Sequence, residues 1–284
     1  MADAALTLMA VHAHPDDEAI GTGGTLARYA AEGVRTVLVT CTDGAVGEIV
    51  DPTVATPETL AAVRADELRT ASELLGVSAL HCLGYRDSGM MGTPENDDPR
   101  SFWRADLDEA TGRLVALIRQ ERPQVIVTYD ENGFYGHPDH IQTNRVSVAA
   151  FHAAGDPARY PEQGLAPWAP SKLYYAAVPI SRLREFGRRL RELDIEAPFG
   201  ENADEPEFGT PDERIVATID ARPYARVKRE ALAVHRSQVG PETFFLLLPP
   251  PVWEETMGTE YFERPISTVP APAHEDDLFA GLRG

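Results

Sequence analysis

Short apolar runs alternate with longer segments of helical periodicity along most of the chain. The first run, at 6–11, precedes a helical segment that ends at Gly33, and a run rich in β-branched residues follows at 34–41. The alternation continues through apolar runs at 79–83 and 124–130. It predicts an α/β fold with a Rossmann-like, mostly parallel sheet and helices on both faces.

The same pattern continues into the C-terminal part of the chain. Strand-like runs at 172–178 and 214–220 are each followed by a helical segment. Because no long linker interrupts the chain, we predict a single domain over residues 1–284, with the C-terminal strands, helix and tail (from about 171) packed on the N-terminal sheet. The acidic segment 194–213 is expected to be a surface loop or lid, and its role is left open.

The chain is strongly acidic, since 45 Asp and Glu residues stand against 26 Lys and Arg, for a formal net charge of −19. This charge disfavours nucleic acid and anionic membranes, so a small molecule is the expected partner. Cys41 and Cys82 lie in apolar runs, where buried free thiols are expected, and the first apolar run is too short for a signal peptide or a membrane span. We therefore expect a cytoplasmic protein, and we leave its oligomeric state open.

Two short segments share an unusual chemistry directly after predicted strands. The first, "HAHPDDE" at 12–18, and the second, "GHPDH" at 136–140, each place Pro after His and Asp in the first helical turn. Each segment carries two potential ligands three residues apart, which a helix brings to one face. Taken alone, Pro and acidic residues at these positions are ordinary helix-start signals. The repetition of the pattern favours a metal site.

The residue types in these segments suit a divalent transition metal. Neutral imidazole and carboxylate together suit Zn²⁺, and a catalytic zinc site uses three protein ligands and leaves a position open for water. His14 and Asp17 from the first segment and one histidine from the second supply such a set. Spacing alone does not choose between His137 and His140, and the same ligands also accept Fe²⁺ or Co²⁺.

The two segments together carry a resemblance to a known family. "AHPDDE", with "YDENGFYGHPDH" about 115 residues later, resembles the LmbE/PIG-L family of zinc-dependent de-N-acetylases. The segments "YRDSGM", "PWAPSKLYY" and "DDLFAGL" extend the likeness over nearly the full length, toward the branch that acts on mycothiol and its precursors. That branch contains the deacetylase of N-acetylglucosaminyl-inositol and the mycothiol S-conjugate amidase.

The resemblance implies roles for several residues in and beside the two segments. One Zn²⁺ per chain, with Fe²⁺ as an alternative in vivo, would be bound by His14, Asp17 and His140. Asp16 would act as the general base toward the attacking water. The resemblance further assigns stabilisation of the oxyanion to Tyr135, stabilisation of the oxyanion or protonation of the leaving amine to His137, and orientation of His137 in its charged form to Asp139.

The resemblance also implies residues that contact the substrate. Arg64 would lie against sugar or inositol hydroxyls, and Asp87 and Met90 of "YRDSGM" would contact the sugar. Arg64 has a simpler explanation, because helix arginines are usually solvated, whereas Asp87 sits on a turn after a predicted strand, where binding residues are common. The roles of Glu48 and His235 are left open.

The expected activity is hydrolysis of the N-acetyl group of an N-acetylglucosamine-type glycoside, with N-acetylglucosaminyl-inositol as the expected substrate. One alternative is the mycothiol S-conjugate amidase, although that branch tends to carry lysine where this chain has Gly21. Another is a tailoring sugar N-deacetylase of secondary metabolism. The non-enzymatic alternative is a metal- or sugar-binding protein.

Overall fold

One seven-stranded sheet organises the protein. The structure, a computed structural model, describes residues 6–196, 206 and 208–283. Within them the strands are β1 (Thr7–His12), β2 (Arg35–Thr42), β3 (Ala79–Tyr85), β4 (Val125–Thr128), β5 (Lys172–Ala177), β6 (Ala217–Asp220) and β7 (Thr259–Ser267). Their order in the sheet is β3-β2-β1-β4-β5-β7-β6.

The pairing of the strands confirms the prediction of a mostly parallel sheet. β1 pairs in parallel with β2 on one side and with β4 on the other. The parallel part continues outward, because β2 also pairs with β3 and β4 also pairs with β5. β1, which lies in the middle of that part, is buried along its whole length. It is apolar at nearly every position, which is typical of a parallel strand covered on both faces.

Helices cover both faces of the sheet. The helical segments are α1 (Asp17–Gly21), α2 (Gly23–Ala31), α3 (Leu60–Leu74), α4 (Leu107–Glu121), α5 (Gly133–Gly136), α6 (Pro138–Ala153), α7 (Ile180–Glu192), α8 (Ala225–Val234), α9 (Phe244–Leu247) and α10 (Pro250–Met257). Leu8 and Ala10 of β1 belong to one core with α2, α3, α7, α8 and α10, whereas Met9 and Val11 belong to a second core with α4 and α6.

The sequence analysis did not predict β7, the strand that runs antiparallel to β5 and β6. Charged residues and Pro265 interrupt its apolar pattern. Glu260 is nevertheless buried there, because its carboxylate accepts hydrogen bonds from the backbone N–H groups of Gly24 and Thr25 (both 2.8 Å) and from Lys228 Nζ (2.7 Å). A charge that is paired in this way can occupy a core position that sequence patterns assign to apolar side chains.

Three other expectations can be compared with the structure. Cys41 is buried as expected, but Cys82 is exposed, because β3 is an edge strand and its side chains are only partly covered. Half of the acidic segment 194–213 falls at 197–205 and 207, outside the described residues. Among the described residues, no helix has both the length and the hydropathy needed to cross a bilayer.

The C-terminal tail packs against α2 and the sheet. Leu278 and Phe279 are fully buried, and the Leu278 N–H donates to the Tyr29 hydroxyl at 2.7 Å. Nearby, Lys172 Nζ lies 2.5 Å from the buried carboxylate of Glu275. The tail therefore forms part of the hydrophobic core.

We expect Leu278→Ala to lower the free energy of unfolding by about 2–5 kcal/mol, because it leaves a cavity where the tail packs. Leu74→Ala is the matched control, since Leu74 is 40% exposed, and its effect should stay within about 0.5 kcal/mol. Urea denaturation measures both. Equal stability of the two variants would show that the tail contributes little to the core.

Candidate metal centre

The site lies where the carboxyl ends of β1 and β4 meet. The chain leaves β1 toward β2 on one side, whereas β4 pairs with β1 on the other side, so a crevice opens between the two strand ends. Ligands of open α/β sheets bind at such a switch point. His14 and Asp17 follow β1, and His140 lies in the first turn of α6, which follows β4.

The three predicted ligands converge. His14 Nδ1 lies 3.3 Å from Asp17 Oδ2 and 3.3 Å from His140 Nε2, and His140 Nε2 lies 3.5 Å from Asp17 Oδ1. Ligand atoms about 2.0–2.1 Å from a tetrahedral zinc ion stand roughly 3.3 Å apart. The spacing of these donor atoms therefore matches the size of a zinc site. Among the described residues, two further groups have donor atoms within 4.8 Å of one another, His14 with His137 and His140, and His14 with Asp87 and Asp139.

Carboxylates beside His14 fix its ring and give the cluster negative charge. His14 Nε2 lies 3.2 Å from Asp139 Oδ2 and 3.7 Å from Asp87 Oδ1, so the ring proton belongs on Nε2 and the Nδ1 lone pair faces Asp17 and His140. Burial alone would lower the pKa of His14, but hydrogen bonds to these three aspartates raise it well above its usual value. The surroundings thus favour a positive charge at this point.

The carboxylate of Asp139 supports a different histidine from the one that the sequence analysis expected. It accepts hydrogen bonds from the Ser88 backbone N–H (2.8 Å) and hydroxyl, and its other contact is His14. Asp139 meets His137 through its backbone N–H, which donates to His137 Nδ1 at 3.1 Å. In this structure the Asp139 carboxylate therefore contacts His14 in place of His137, because the first turn of α6 directs the carboxylate toward β1.

The hydrogen bond at His137 Nδ1 determines what that ring can do. A neutral imidazole that accepts at Nδ1 carries its proton on Nε2, so Nε2 can donate a hydrogen bond but cannot ligate a metal. Burial, with the nearby His14 and His140, lowers the pKa of His137 to about 3. The structure thus favours a neutral His137, whereas the resemblance implied a charged ring. The His137 ring lies close enough to those of His14 and His140 to join a metal site with them, but a proton on Nε2 would keep it from acting as a ligand.

Asp16 points away from Asp17 and toward α3. Its carboxylate accepts a hydrogen bond from Arg64 Nη2 at 3.1 Å, and its backbone has φ 115° and ψ −29°, a left-handed conformation that is rare for residues other than glycine. Burial raises the pKa of Asp16 to about 6, although Arg64 opposes that shift. A carboxylate with this pKa can take up a proton near neutral pH.

The three predicted substrate contacts differ in their accessibility. Arg64 is buried, and its guanidinium donates to the carbonyl oxygens of Pro15 (2.5 Å) and Gly44 (2.9 Å) as well as to Asp16. Asp87 is also buried, and it accepts from the backbone N–H of Gly89 at 2.8 Å. Arg64 thus holds the loops that follow β1 and β2, and Asp87 holds the loop that follows β3.

Met90, the third predicted contact, is half exposed on the loop after β3, which also carries Asp87. Its side chain is therefore open to a ligand. Glu48, whose role was left open, is exposed on the loop after β2.

Tyr129, directly after β4, supports two of the three ligands and was missed by the sequence analysis. Its hydroxyl donates to Asp17 Oδ2 at 2.8 Å and accepts from the Ala13 N–H at 3.0 Å, and its ring stacks on His140 with centroids 4.2 Å apart. His12 Nδ1 lies 3.2 Å from the same hydroxyl. The signal was available, because a polar residue at the end of a parallel strand lies at the ligand-binding edge of the sheet.

Tyr135 lies between the ligands and a cavity of about 550 Å³. Its ring centroid is 5.0 Å from that of His140, and 44% of the residue is exposed. The loop that carries it needs glycine, since Gly133 has φ +61° and a Cβ there would lie 2.6 Å from the Cβ of His140. Beyond Tyr135 the cavity is mostly apolar, and its aromatic lining includes Phe134, Phe186, Phe208, Phe244 and Phe245.

Comparisons with known proteins show which family this chain belongs to. The profile of the PIG-L family, described as GlcNAc-PI de-N-acetylase, matches residues 9–151. The 1D-myo-inositol 2-acetamido-2-deoxy-alpha-D-glucopyranoside deacetylase of Geodermatophilus obscurus is 48% identical, with 98% of each chain covered. A relative with the same name and the suffix 1, from Catenulispora acidiphila, is 46% identical over 98% of this chain and 90% of its own.

A solved structure shares the fold at lower sequence similarity. The N,N'-diacetylchitobiose deacetylase from Pyrococcus horikoshii, in complex with its inhibitor MPG, superposes with a TM-score of 0.62. It is 21% identical, and the superposition covers 92% of this chain and 84% of that one. This likeness confirms the predicted fold.

We expect Tyr129→Phe to weaken zinc binding by roughly 10- to 100-fold, because Asp17 loses the hydrogen bond that orients its carboxylate. Competition with a fluorescent zinc chelator gives the Kd. Tyr29→Phe is the control, since the Tyr29 hydroxyl bonds Asp277 at 2.8 Å beside the tail, and its Kd should equal that of the wild type. If both variants bind zinc with the same Kd, the Tyr129 hydroxyl does not contribute to metal binding.

Proposed function

Because this chain belongs to the PIG-L family of GlcNAc-PI de-N-acetylases, we propose that it hydrolyses the N-acetyl group of an N-acetylglucosamine-type glycoside. The proposed substrate is 1D-myo-inositol 2-acetamido-2-deoxy-α-D-glucopyranoside, the compound in the names of its relatives. The observation that carries the proposal is the convergence of His14, Asp17 and His140 within 3.5 Å of one another, with a carboxylate of raised pKa at the adjacent Asp16.

We assign the metal as one Zn²⁺ per chain, held by His14, Asp17 and His140. When bound, such an ion polarises the amide carbonyl and lowers the pKa of a water molecule. The hydrogen bond at His137 Nδ1 supports a three-ligand set, which leaves a position open. Metal analysis of protein purified without chelators distinguishes Zn²⁺ from Fe²⁺ and Co²⁺, which the same ligands accept.

In the proposed reaction Asp16 takes a proton from the water that attacks the acetamide carbonyl carbon. The new C–O bond gives a tetrahedral oxyanion, the C–N bond then breaks, and the amine nitrogen gains a proton as acetate leaves. Arg64 keeps the Asp16 carboxylate in place through the hydrogen bond at 3.1 Å. Asp16 in this role is a general base that can return the proton to the leaving amine.

Tyr135 and His137 are the proposed donors to the developing oxyanion. A neutral His137 carries a proton on Nε2, and the Tyr135 hydroxyl is a second neutral donor beside the ligands. Asp139 contributes indirectly, because its carboxylate orients His14. Of the predicted substrate contacts we retain Met90 as a direct contact with the sugar, whereas Arg64 and Asp87 act through the loops that they hold.

A second activity is favoured by the size and polarity of the cavity. A volume of about 550 Å³ lined by phenylalanines is far larger than an acetyl group requires. In a mycothiol S-conjugate the acyl side of the amide carries an apolar group, which such a cavity would bury favourably. The same catalytic groups would cleave that amide.

The proposal is tested by incubating the zinc-loaded protein with the inositol glycoside and, separately, with a bimane-labelled mycothiol conjugate. Acetate release from the glycoside at the higher kcat/KM supports the deacetylase, and faster cleavage of the conjugate supports the amidase. If neither amide is hydrolysed and no other N-acetylglucosaminide releases acetate, the hydrolase proposal fails.

We expect Asp16→Asn to lower kcat by roughly 100- to 10,000-fold, because the amide cannot accept the proton of the attacking water. Zinc content should remain that of the wild type, since Asp16 is not a proposed ligand. Asp66→Asn on α3 is the control, because the Asp66 side chain is 78% exposed, and its kcat should be unchanged. Near wild-type activity of Asp16→Asn would exclude Asp16 as the base.

A further inference from the structure

The conformation of Asp16 needs an explanation that the catalytic roles do not supply. Its φ of 115° is sterically unfavourable for a residue with a Cβ, and such a conformation persists only where the surroundings enforce it. The conformation has a clear effect, because it turns two consecutive carboxylates in different directions. Asp17 faces His14 and His140, while Asp16 faces Arg64.

Glu18 is the side chain that holds the backbone at this point. It is completely buried, and its Oε2 accepts a hydrogen bond from the backbone N–H of Asp16 at 2.9 Å. This bond reaches the strained residue itself, in addition to the hydrogen bonds that Arg64 donates to the carbonyl of Pro15 and to the carboxylate of Asp16. Glu18 is not a proposed ligand and has no assigned part in the reaction.

The other oxygen of Glu18 is held by His235, which lies 217 residues further along the chain. His235 follows α8 directly, is fully buried, and places Nε2 2.8 Å from Glu18 Oε1. Its Nδ1 has no hydrogen-bond partner among the described residues. The ring therefore uses Nε2–H as its donor and fixes the position of the Glu18 carboxylate.

We propose that Glu18 and His235 form a positioning pair that keeps the Asp16 backbone left-handed and so turns the Asp16 carboxylate away from Asp17 and toward Arg64, the orientation in which it would act as the base. This inference rests on the proposed role of Asp16 as the general base. The pair acts through Asp16 and touches no reacting atom. His235, whose role the sequence left open, thereby becomes a residue that supports catalysis from α8.

The hydrogen bond between Glu18 and His235 also joins α1 to the end of α8. A purely structural role of the pair therefore has to be distinguished from a role in catalysis, and the chain offers a control for this. Glu67 of α3 accepts hydrogen bonds from the Ser237 N–H (2.8 Å) and hydroxyl (2.6 Å), two residues after His235. Both glutamates thus anchor the same segment through a mostly buried carboxylate. Of these two glutamates, Glu18 is the one whose side chain bonds the Asp16 backbone.

The experiment compares Glu18→Ala, Glu18→Gln and Glu67→Ala in kcat, KM, zinc content and the conformation of Asp16. We expect Glu18→Ala to lower kcat by roughly 10- to 100-fold, with KM and zinc content close to wild type, because the base is misplaced while the ligands stay. Glu18→Gln should retain kcat within about threefold, since its carbonyl oxygen can accept the Asp16 N–H and its amide can donate to His235. Glu67→Ala should retain kcat.

Crystal structures of the zinc-loaded variants provide a readout that does not depend on activity. Asp16 should leave the left-handed region in Glu18→Ala and keep it in Glu18→Gln. If Glu18→Ala keeps both wild-type kcat and the φ of Asp16, or if Glu67→Ala loses as much kcat, the inference is overturned. If the wild type hydrolyses none of the amides, the proposed function fails, and the crystal structures still decide whether the pair holds Asp16.

His235→Ala provides a second route if Glu18→Ala does not accumulate as folded protein. It removes the donor that fixes Glu18 while leaving the Glu18 carboxylate present. A fall of tenfold or more in kcat, with zinc retained and Asp16 displaced, supports the pair. Wild-type kcat with Asp16 unmoved in this variant overturns it.

Discussion

The parallel pairing of β1 with β4 is the interaction on which the site depends. Leu8 pairs with Val125 and Ala10 with Val127, and this register places the ends of both strands at the same edge of the sheet. His14 and His140, which are 126 residues apart, meet there with their ring nitrogens 3.3 Å apart. A shift of one residue in this register would separate the ring nitrogens of His14 and His140. It would also move the buried side chains of the shifted strand to the opposite face of the sheet.

Around this edge, most of the polar side chains are held by other buried polar groups. Asp139 is held by Ser88, Tyr129 bonds Asp17, and Arg64 bonds the loop that contains Asp16. Such support costs free energy of desolvation, which the hydrogen bonds and ion pairs offset. It also orients donors and acceptors before any ligand arrives, as catalysis by preorganised groups requires.

The α8 region links the C-terminal half of the chain to this site. Lys228 pairs with Glu260, which caps the start of α2, and His235 bonds Glu18 at the first motif. The C-terminal half therefore extends the sheet through β5, β6 and β7 and also supplies buried partners to the N-terminal motifs. The likeness to relatives likewise spans nearly the whole chain.

The sequence by itself determined the α/β class and the positions of the two segments that carry the candidate ligands, because both follow from local periodicity and from residue spacing within one helical turn. Only the tertiary structure decided that Asp139 supports His14 and that Tyr129 orients Asp17. These contacts depend on which side chains approach across the sheet edge. Such contacts cannot be predicted from a local sequence pattern. They are set by strand register and helix packing between segments more than 100 residues apart.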